Sequence, residues 1–471
     1  MLSKIVIIGG GITGLSGAML LARDGHRVTV LERDPAPPPR PTEAWERWER
    51  RGVNQFRLPH LFLPRFRELL DSELPDVADG LLAAGALRFN RMAALPEHVT
   101  GGLRPGDERF EQLTGRRPMM EAALARLAAA ELGVEVRRGV AVRGLLADWP
   151  TRGAPHVTGV VTDDGEHLAA HLVIDAGGRR SALPELLADI GAPVPVDEQA
   201  DSGYVYYGRH FRSTDGTLPH MMGPPLQHYV SVSLLTLPAD HGHWSVAVSA
   251  SANDKALRAA QDVDVFDRIV RSYPLVAHWI DAEPVTGIDV MARIADRVRR
   301  YDPGTAATGV VAIGDAAACT NPSIGRGAST ALMYAVCLRD TVRDVGTAQR
   351  RELLERWSTV AGERVEPYVS DTLSVDRHRR AQIEAEIVGE SYVTSDPSWS
   401  LGRALMAAAP HDPDILRGAM DVAGMLARGA DVLRRPGLTD AIERVGPVPP
   451  LPGPSREELM EVVGRPAVEV A

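Results

Sequence analysis

The residues whose spacing can do chemistry stand at the very start of the chain. Residues 5–8 form an apolar run that breaks directly into Gly9-x-Gly11-x-x-Gly14, with Ile12 and Thr13 between the last two glycines. A helical stretch at 15–24 and a second apolar strand at 27–31 follow, and that strand ends on Glu32 and Arg33. Each part has a physical task. Gly9 permits a tight turn, Gly11 admits a pyrophosphate to the backbone, and Gly14 lets helix and strand pack closely. The helix N-terminus presents unpaired N–H groups to phosphate oxygens. Glu32 is placed to accept hydrogen bonds from a ribose. Strand, turn, helix, strand and acid in this order predict a site for the adenosine end of a dinucleotide. A glycine-rich turn in some other α/β protein is the plain alternative, and the full context argues against it.

Two further stretches repeat the logic of a strand running into a glycine turn. One is Asp175-Ala-Gly177-Gly178-Arg-Arg-Ser181, after the apolar residues 172–174. The other is Gly314-Asp315, after the buried-strand pattern of 310–313. An aspartate in that position can reach the hydroxyls of a ribityl chain or bridge to a pyrophosphate. Pro322-Ser-Ile-Gly325-Arg-Gly327-Ala328 then opens a helix over 329–342. Its N-terminal amides suit the pyrimidine edge of a flavin, where reduction develops negative charge. Alone, each stretch reads as an ordinary strand-to-helix turn. With the N-terminal fingerprint in the same chain, the three together point to FAD.

Composition sets the frame. At 471 residues the chain can build two or three domains. Apolar and charged contents of 44% and 24% are those of a globular protein. A net charge of −10 without a clustered basic face argues against nucleic acid as a partner. Two cysteines, Cys319 and Cys337, exclude a disulfide scaffold, and no metal site is expected. Of 52 basic residues only Lys4 and Lys255 are lysines, so any chemistry that needs a lysine has two candidates. The arginine bias is that of GC-rich coding in a bacterium. The uncharged stretch 5–22 holds five glycines and leads into a polar segment and a strand, so it reads neither as an export signal nor as a membrane span. A cytoplasmic protein is the expectation.

The elements that must position these residues follow from the pattern. The class is α/β: a three-layer, Rossmann-like FAD-binding domain over 1–183 and 296–346, interrupted by an inserted substrate domain over 184–295. There, strands at 204–207, 229–237 and 244–251 predict a mixed or antiparallel sheet. Residues 347–471 form a C-terminal region, helical in pattern as far as 433, whose Pro-rich end wraps the surface before a short last helix. Helices are also expected at 61–70, 78–84 and 118–132, and residues 45–51 read as partly helical and exposed.

The chain resembles the FAD-dependent monooxygenases related to p-hydroxybenzoate hydroxylase over most of 1–345. The likeness rests on GxGxxG with its distal Glu, on Asp-x-x-Gly-Arg-x-Ser, and on Gly-Asp followed by Pro-x-x-Gly-x-Gly. Within that superfamily it looks closest to the flavin epoxidases of polyether antibiotic pathways, through residues 50–55, 201–206, Phe211-Arg212 and Asn321-Pro322. The resemblance implies that Gly9, Gly11 and Gly14 surround the pyrophosphate and that Glu32 holds the ribose. It places Arg50, Gly52 and Val53 along the cofactor near the isoalloxazine, Arg117 against the FAD, Asp315 at the ribityl-pyrophosphate region, and Pro322, Gly325, Gly327 and Ala328 at the flavin ring. Arg50 reads equally as a solvated member of the charged run 46–51. Two departures stand out. Gly177 occupies the place of the acid in the hydroxylases' Asp-Gly pair, which weakens direct NADPH recognition. Leu58 replaces the first of two histidines in the epoxidase pattern, leaving His60, which reads as structural.

The implied reaction is transfer of one oxygen atom of O2, from a flavin C4a-hydroperoxide, to an electron-rich and largely apolar small molecule. Epoxidation and hydroxylation both fit. The electrons come from NAD(P)H or reduced flavin, with a separate flavin reductase as a partner. Such chemistry demands no nucleophile–base pair, and no catalytic side chain is assigned. Tyr204, Tyr206, Met221 and Tyr229 are the substrate-lining candidates, with core packing as their alternative. Cys319 reads as a buried inert thiol rather than a covalent flavin link. Three other functions compete: a reductase of the geranylgeranyl-reductase type, a flavin halogenase, and a non-enzymatic FAD-binding protein. A halogenase needs Trp-x-Trp-x-Ile-Pro and a relay lysine, and Trp45-Glu-Arg-Trp48 has the wrong spacing.

Overall fold

The computed structural model describes residues 2–50, 52–53, 55–150 and 153–464. Arg51, Asn54 and the tail from 465 lie outside the described residues. The apolar runs become the strands of one parallel sheet: β1 (Lys4–Ile8), β2 (Arg27–Glu32), β3 (Val134–Arg138), β4 (Leu172–Asp175) and, far along the chain, the last strand (Val310–Ala312). In space, the last strand pairs with β4, β4 with β1, β1 with β2 and β2 with β3, all parallel. Central parallel strands are covered on both faces, so their side chains are apolar throughout. Ile5, Ile7 and Ile174 are accordingly buried.

One face of the sheet carries helices α1 (Ile12–Arg23) and α2 (Arg117–Ala130), with the Gly327–Val345 helix packed against α1. The other carries an antiparallel meander of Val142–Asp148, His156–Thr162 and His167–Ala169. That makes three layers. Register sets Ile8 beside Asp175 and Asp175 beside Ala312, so three strands end at one edge and three glycine turns leave side by side. The edge lies where the strand order reverses, the position at which open α/β sheets bind ligands.

The chain leaves this sheet after Asp175 and builds a six-stranded sheet before it returns. Its strands are β5 (Tyr204–Arg212), β6 (Leu226–His228), β7 (Val232–Pro238) and β8 (His243–Ser251), plus short strands at Glu283–Pro284 and Asp289–Met291. The last strand of the parallel sheet is therefore β9. Alternation along β5 sends Tyr207 and Phe211 into a core with Trp244 and Phe266, and Tyr204 and Tyr206 onto the opposite face. After α3 (Gly327–Val345) come α4 (Arg350–Arg364), α5 (Glu366–Ile387), α6 (Pro397–Ala408), α7 (Pro413–Ala423), α8 (Leu438–Val445) and α9 (Arg456–Gly464).

Three expectations need correction. Within 45–51, only the start is helical, and Trp48 and Arg50 are 1% and 8% exposed rather than solvated. Trp48 packs edge-on against Phe56, and a buried ion pair takes Arg50. Helical structure also continues beyond 433, because Leu438 and Ile442 of α8 bury against α6 and α7. The tail does more than wrap the surface, since Leu459 of α9 is buried in the core of the inserted sheet. No helix of the described residues is long and apolar enough to cross a membrane.

Two glycines of α1 differ sharply. A Cβ on Gly14 would lie 2.0 Å from the Gly9 carbonyl oxygen, whereas one on Gly17 would meet only Ala335, Ile313 and Ile7 at 3.9–4.0 Å, ordinary contact. Gly14→Ala should therefore destabilise the protein by roughly 2–4 kcal/mol. Gly17→Ala should stabilise it by up to about 1 kcal/mol through helix propensity. Thermal unfolding of the two variants checks the opposite signs.

Candidate active site

The three turns open on one cavity of ≈ 2080 Å³. A single small-molecule site occupies about 300–1,000 Å³, so this one has room for a dinucleotide and a second ligand. Of the residues assigned above to the cofactor, all but Gly14 are in its wall. Gly14 sits behind, against Gly9, and its task is packing.

The wall fits an anionic dinucleotide. Neither α1 nor α3 has a side-chain cap at its N-terminus, and Gly11, Ile12 and Thr13 of one and Gly327 and Ala328 of the other face the cavity. Free amides and aligned dipoles at two helix ends favour negatively charged groups. A Cβ on Gly11 would meet nothing within 4 Å, so the protein itself does not require glycine there. Gly325 takes φ +69°, which reverses the chain between the Pro322–Ile324 turn and α3.

Glu32 is tied in from three sides. Its carboxylate accepts N–H bonds from Gly10 and Asp34, each 2.9 Å, and pairs with Arg50. An ionised carboxylate has about four acceptor sites, so one remains for a ribose hydroxyl. Arg50 also donates to Glu121 at 2.5 Å, Glu121 accepts from Arg117 at 2.5 Å, and Arg117 donates to His60 Nε2 at 3.0 Å. Burial opposes ionisation of Glu121, but Arg117 and Arg50 outweigh it and hold the carboxyl at about 2. Burial first, then Arg117, lowers His60 to about 3. The ring is therefore neutral, its Nδ1–H donating to the Leu58 carbonyl at 2.8 Å. Both ring nitrogens are engaged by protein, as the structural reading of His60 requires.

Asp315 is half-buried in the cavity wall, and burial raises its carboxyl above the usual range against the pull of Arg117 and Arg179. The adjacent Cys319 thiol is pushed well above its ordinary value by burial, so it is protonated and inert. Asp175 is spent on its own turn, accepting from Gly177 N–H at 2.9 Å and from the Ser181 hydroxyl. A Cβ on Gly177 would stand 2.9 Å from that Asp175 oxygen, which gives the departure at Gly177 a structural cause.

The substrate candidates divide. Met221 lines the cavity; Tyr204, Tyr206 and Tyr229 do not. Tyr204 and Tyr206 stack at 6.2 Å between centroids and donate to the Asp376 carbonyl and to Asn321 Oδ1, 3.0 Å each. Tyr229 packs on Tyr273 at 4.4 Å. Core packing took all three. The second half of the cavity is an apolar chamber between Leu235 and Leu237 of the inserted sheet and Leu405, Met406 and Met420 of the C-terminal helices.

Sequence reasoning missed two polar groupings on α5, one in the cavity wall and one behind it. His378 of α5, in the cavity wall, bonds Tyr392 Oη at 2.8 Å and Asp396 Oδ2 at 3.0 Å and stacks on Trp399. Asp376, on the same helix, accepts from the hydroxyl of Ser323 in the Pro322–Ile324 turn. Burial, aided by Asp296, raises Asp376 to about 7. No short motif links α5 to a turn some fifty residues earlier, so nothing local could have flagged them.

Comparison with known proteins agrees with this geometry. A family model described as FAD dependent oxidoreductase matches residues 4–40. The chain is similar to FAD-dependent monooxygenases and hydroxylases. It is 28% identical over 366 residues to protein Rv3254 of Mycobacterium tuberculosis, covering 74% of each. It is 30% identical over 236 residues to aklavinone 12-hydroxylase RdmE of Streptomyces purpurascens, which is 46% of this chain and 37% of that one. Among solved structures, the FAD-dependent monooxygenase PqsL of Pseudomonas aeruginosa matches with a TM-score of 0.60 at 18% identity, over 82% of this chain and 98% of its own. The flavin-dependent halogenase CmlS matches at 0.61 and 16% identity, over 90% and 77%. At these identities the structures establish the fold.

Two outcomes follow. Gly11→Val should keep the wild-type circular dichroism while losing at least about tenfold in FAD affinity, because only a ligand fills the space its side chain enters. For Asp376, the native state prefers the protonated form, so its contribution is full below about pH 4 and is lost as pH rises through about 7. Asp376→Asn should raise the melting temperature by about 3 °C or more at pH 8 and by under about 1 °C at pH 4. Equal shifts at both pH values contradict the assignment.

Proposed function

We propose that this chain is an FAD-dependent monooxygenase that adds one oxygen atom to an electron-rich, largely apolar substrate of bacterial secondary metabolism, by epoxidation or hydroxylation. The observation that carries this reading is the continuity of one cavity from the dinucleotide turns to the apolar chamber. Bound FAD supplies the redox chemistry and the activation of O2. The protein's own residues hold, orient and dry the site. The amides at the starts of α1 and α3 take the pyrophosphate and the flavin edge, and Glu32 takes the ribose. Leu235, Leu237, Leu405 and Met420 exclude water around the reacting atoms, which strengthens every electrostatic contact inside. The neutral His60 keeps the Arg117 guanidinium oriented without adding charge.

Halogenation lacks its relay residue. Lys4 and Lys255 are both exposed and neither is in the cavity wall. Electrons are proposed to come through a separate flavin reductase or by exchange of reduced flavin, with Gly177 in place of an acid as the supporting feature.

In anaerobic stopped flow, NADPH alone should reduce the bound FAD slowly, and an unrelated flavin reductase should accelerate turnover. Substrate conversion should consume O2. Millisecond reduction by NADPH alone contradicts the proposed electron source, and conversion without O2 would place the chain with the flavin reductases instead.

A further inference from the structure

Among the described residues, nine arginines are buried, and eight of them donate hydrogen bonds to a carboxylate, a carbonyl or a hydroxyl. Arg91 is the exception. It is 9% exposed, forms no ion pair or side-chain hydrogen bond, and its Nε is sealed from solvent without an acceptor. Its place is well defined. It follows the strand Leu87–Asn90, and the Asn90 side chain braces the turn by accepting from Met92 N–H and donating to the Asp107 carbonyl, 2.9 Å each. Met92 is buried among Leu405, Leu416 and Met420 of the C-terminal helices, which line the apolar chamber. Arg91 itself is in the cavity wall beside Leu95 and Pro96.

With Nε sealed and no acceptor from the protein, a guanidinium this far withdrawn from water is less favourable than a paired one, and its outer nitrogens are left to donate into the cavity. Burial lowers its pKa only to about 10, so it stays charged at neutral pH, and no carboxylate of the protein acts on it. Planar, bidentate donors of this kind match carboxylates. We propose that Arg91 anchors an acidic group of the ligand in the apolar chamber, so that the substrate is an organic acid: a carboxylate on an otherwise apolar body. The inference rests on the monooxygenase reading only in calling that ligand the substrate.

The test uses FAD-loaded protein without turnover and two fluorescent probes of matched shape, 1-pyrenebutyrate and 1-pyrenebutanol. Wild type should bind the acid at least about tenfold more tightly than the alcohol. Arg91→Met should bring the two within about threefold, chiefly by weakening the acid, and Arg91→Lys should keep part of the preference. Without ligand, Arg91→Met should melt no lower than wild type, because it removes an unpaired buried charge. Equal binding of both probes by wild type overturns the proposal, as does a preference that survives Arg91→Met. A lower melting temperature for Arg91→Met would instead mark the residue as structural and overturn it. If the variant changes NADPH saturation of flavin reduction and leaves probe preference intact, the anion is a nucleotide phosphate and the proposal falls. Each of these results leaves O2-dependent turnover, and with it the monooxygenase reading, to be judged separately.

Discussion

The Glu32 carboxylate is the point on which the cofactor half of the molecule depends. It ends β2, binds the amide of Gly10 in the first turn, and pairs with Arg50 from the loop that Trp48 also anchors by packing on Phe56. Through Arg50 it reaches Glu121 and Arg117 of α2, and through Arg117 the loop at His60. Two carboxylates and two guanidinium groups alternate along this ladder, so each buried charge has an opposite neighbour. Breaking such a pair strands a charge in a low-dielectric site and is typically worth about 3–5 kcal/mol. The same ladder that holds four segments together leaves one acceptor position of Glu32 free for a ligand.

The second constraint is steric. Gly9 and Gly14 close on each other and on Ala176 so tightly that no side chain fits, which brings the ends of β1 and β4 to one edge of the sheet. Gly11 sits in the same turn with open space before it. Glycines of one turn thus answer to different constraints: two leave no room for a side chain, and the third faces open space.

The side of the cavity toward the inserted sheet obeys a different logic. Its chamber is bounded by the inserted sheet and by helices from the last quarter of the chain, and the polar groups in and behind its wall come from segments far apart in sequence. Asp376 meets Ser323, His378 meets Asp396, and Arg91 meets nothing. Two of these groups have partners from other segments, and Arg91 alone is left without one.

The sequence by itself determined the glycine turns at the edge of the parallel sheet because each of those signals is local. A strand, a turn whose glycines sit at fixed offsets, a helix and an acid lie within 33 residues, and covalent spacing alone sets where they go. Period-two alternation along β5 likewise puts Tyr204 and Tyr206 on one face and Tyr207 on the other. Which face meets the ligand was decided only by tertiary structure. α5 covers the Tyr204 and Tyr206 face, satisfies a tyrosine hydroxyl, and turns that face into core. Arg50 appeared in a charged run that looks solvated, until the fold set it between two buried carboxylates. Arg91 carries no motif at all. Its importance lies in partners it lacks, and whether a charge is paired depends on distances between remote segments that no linear pattern records.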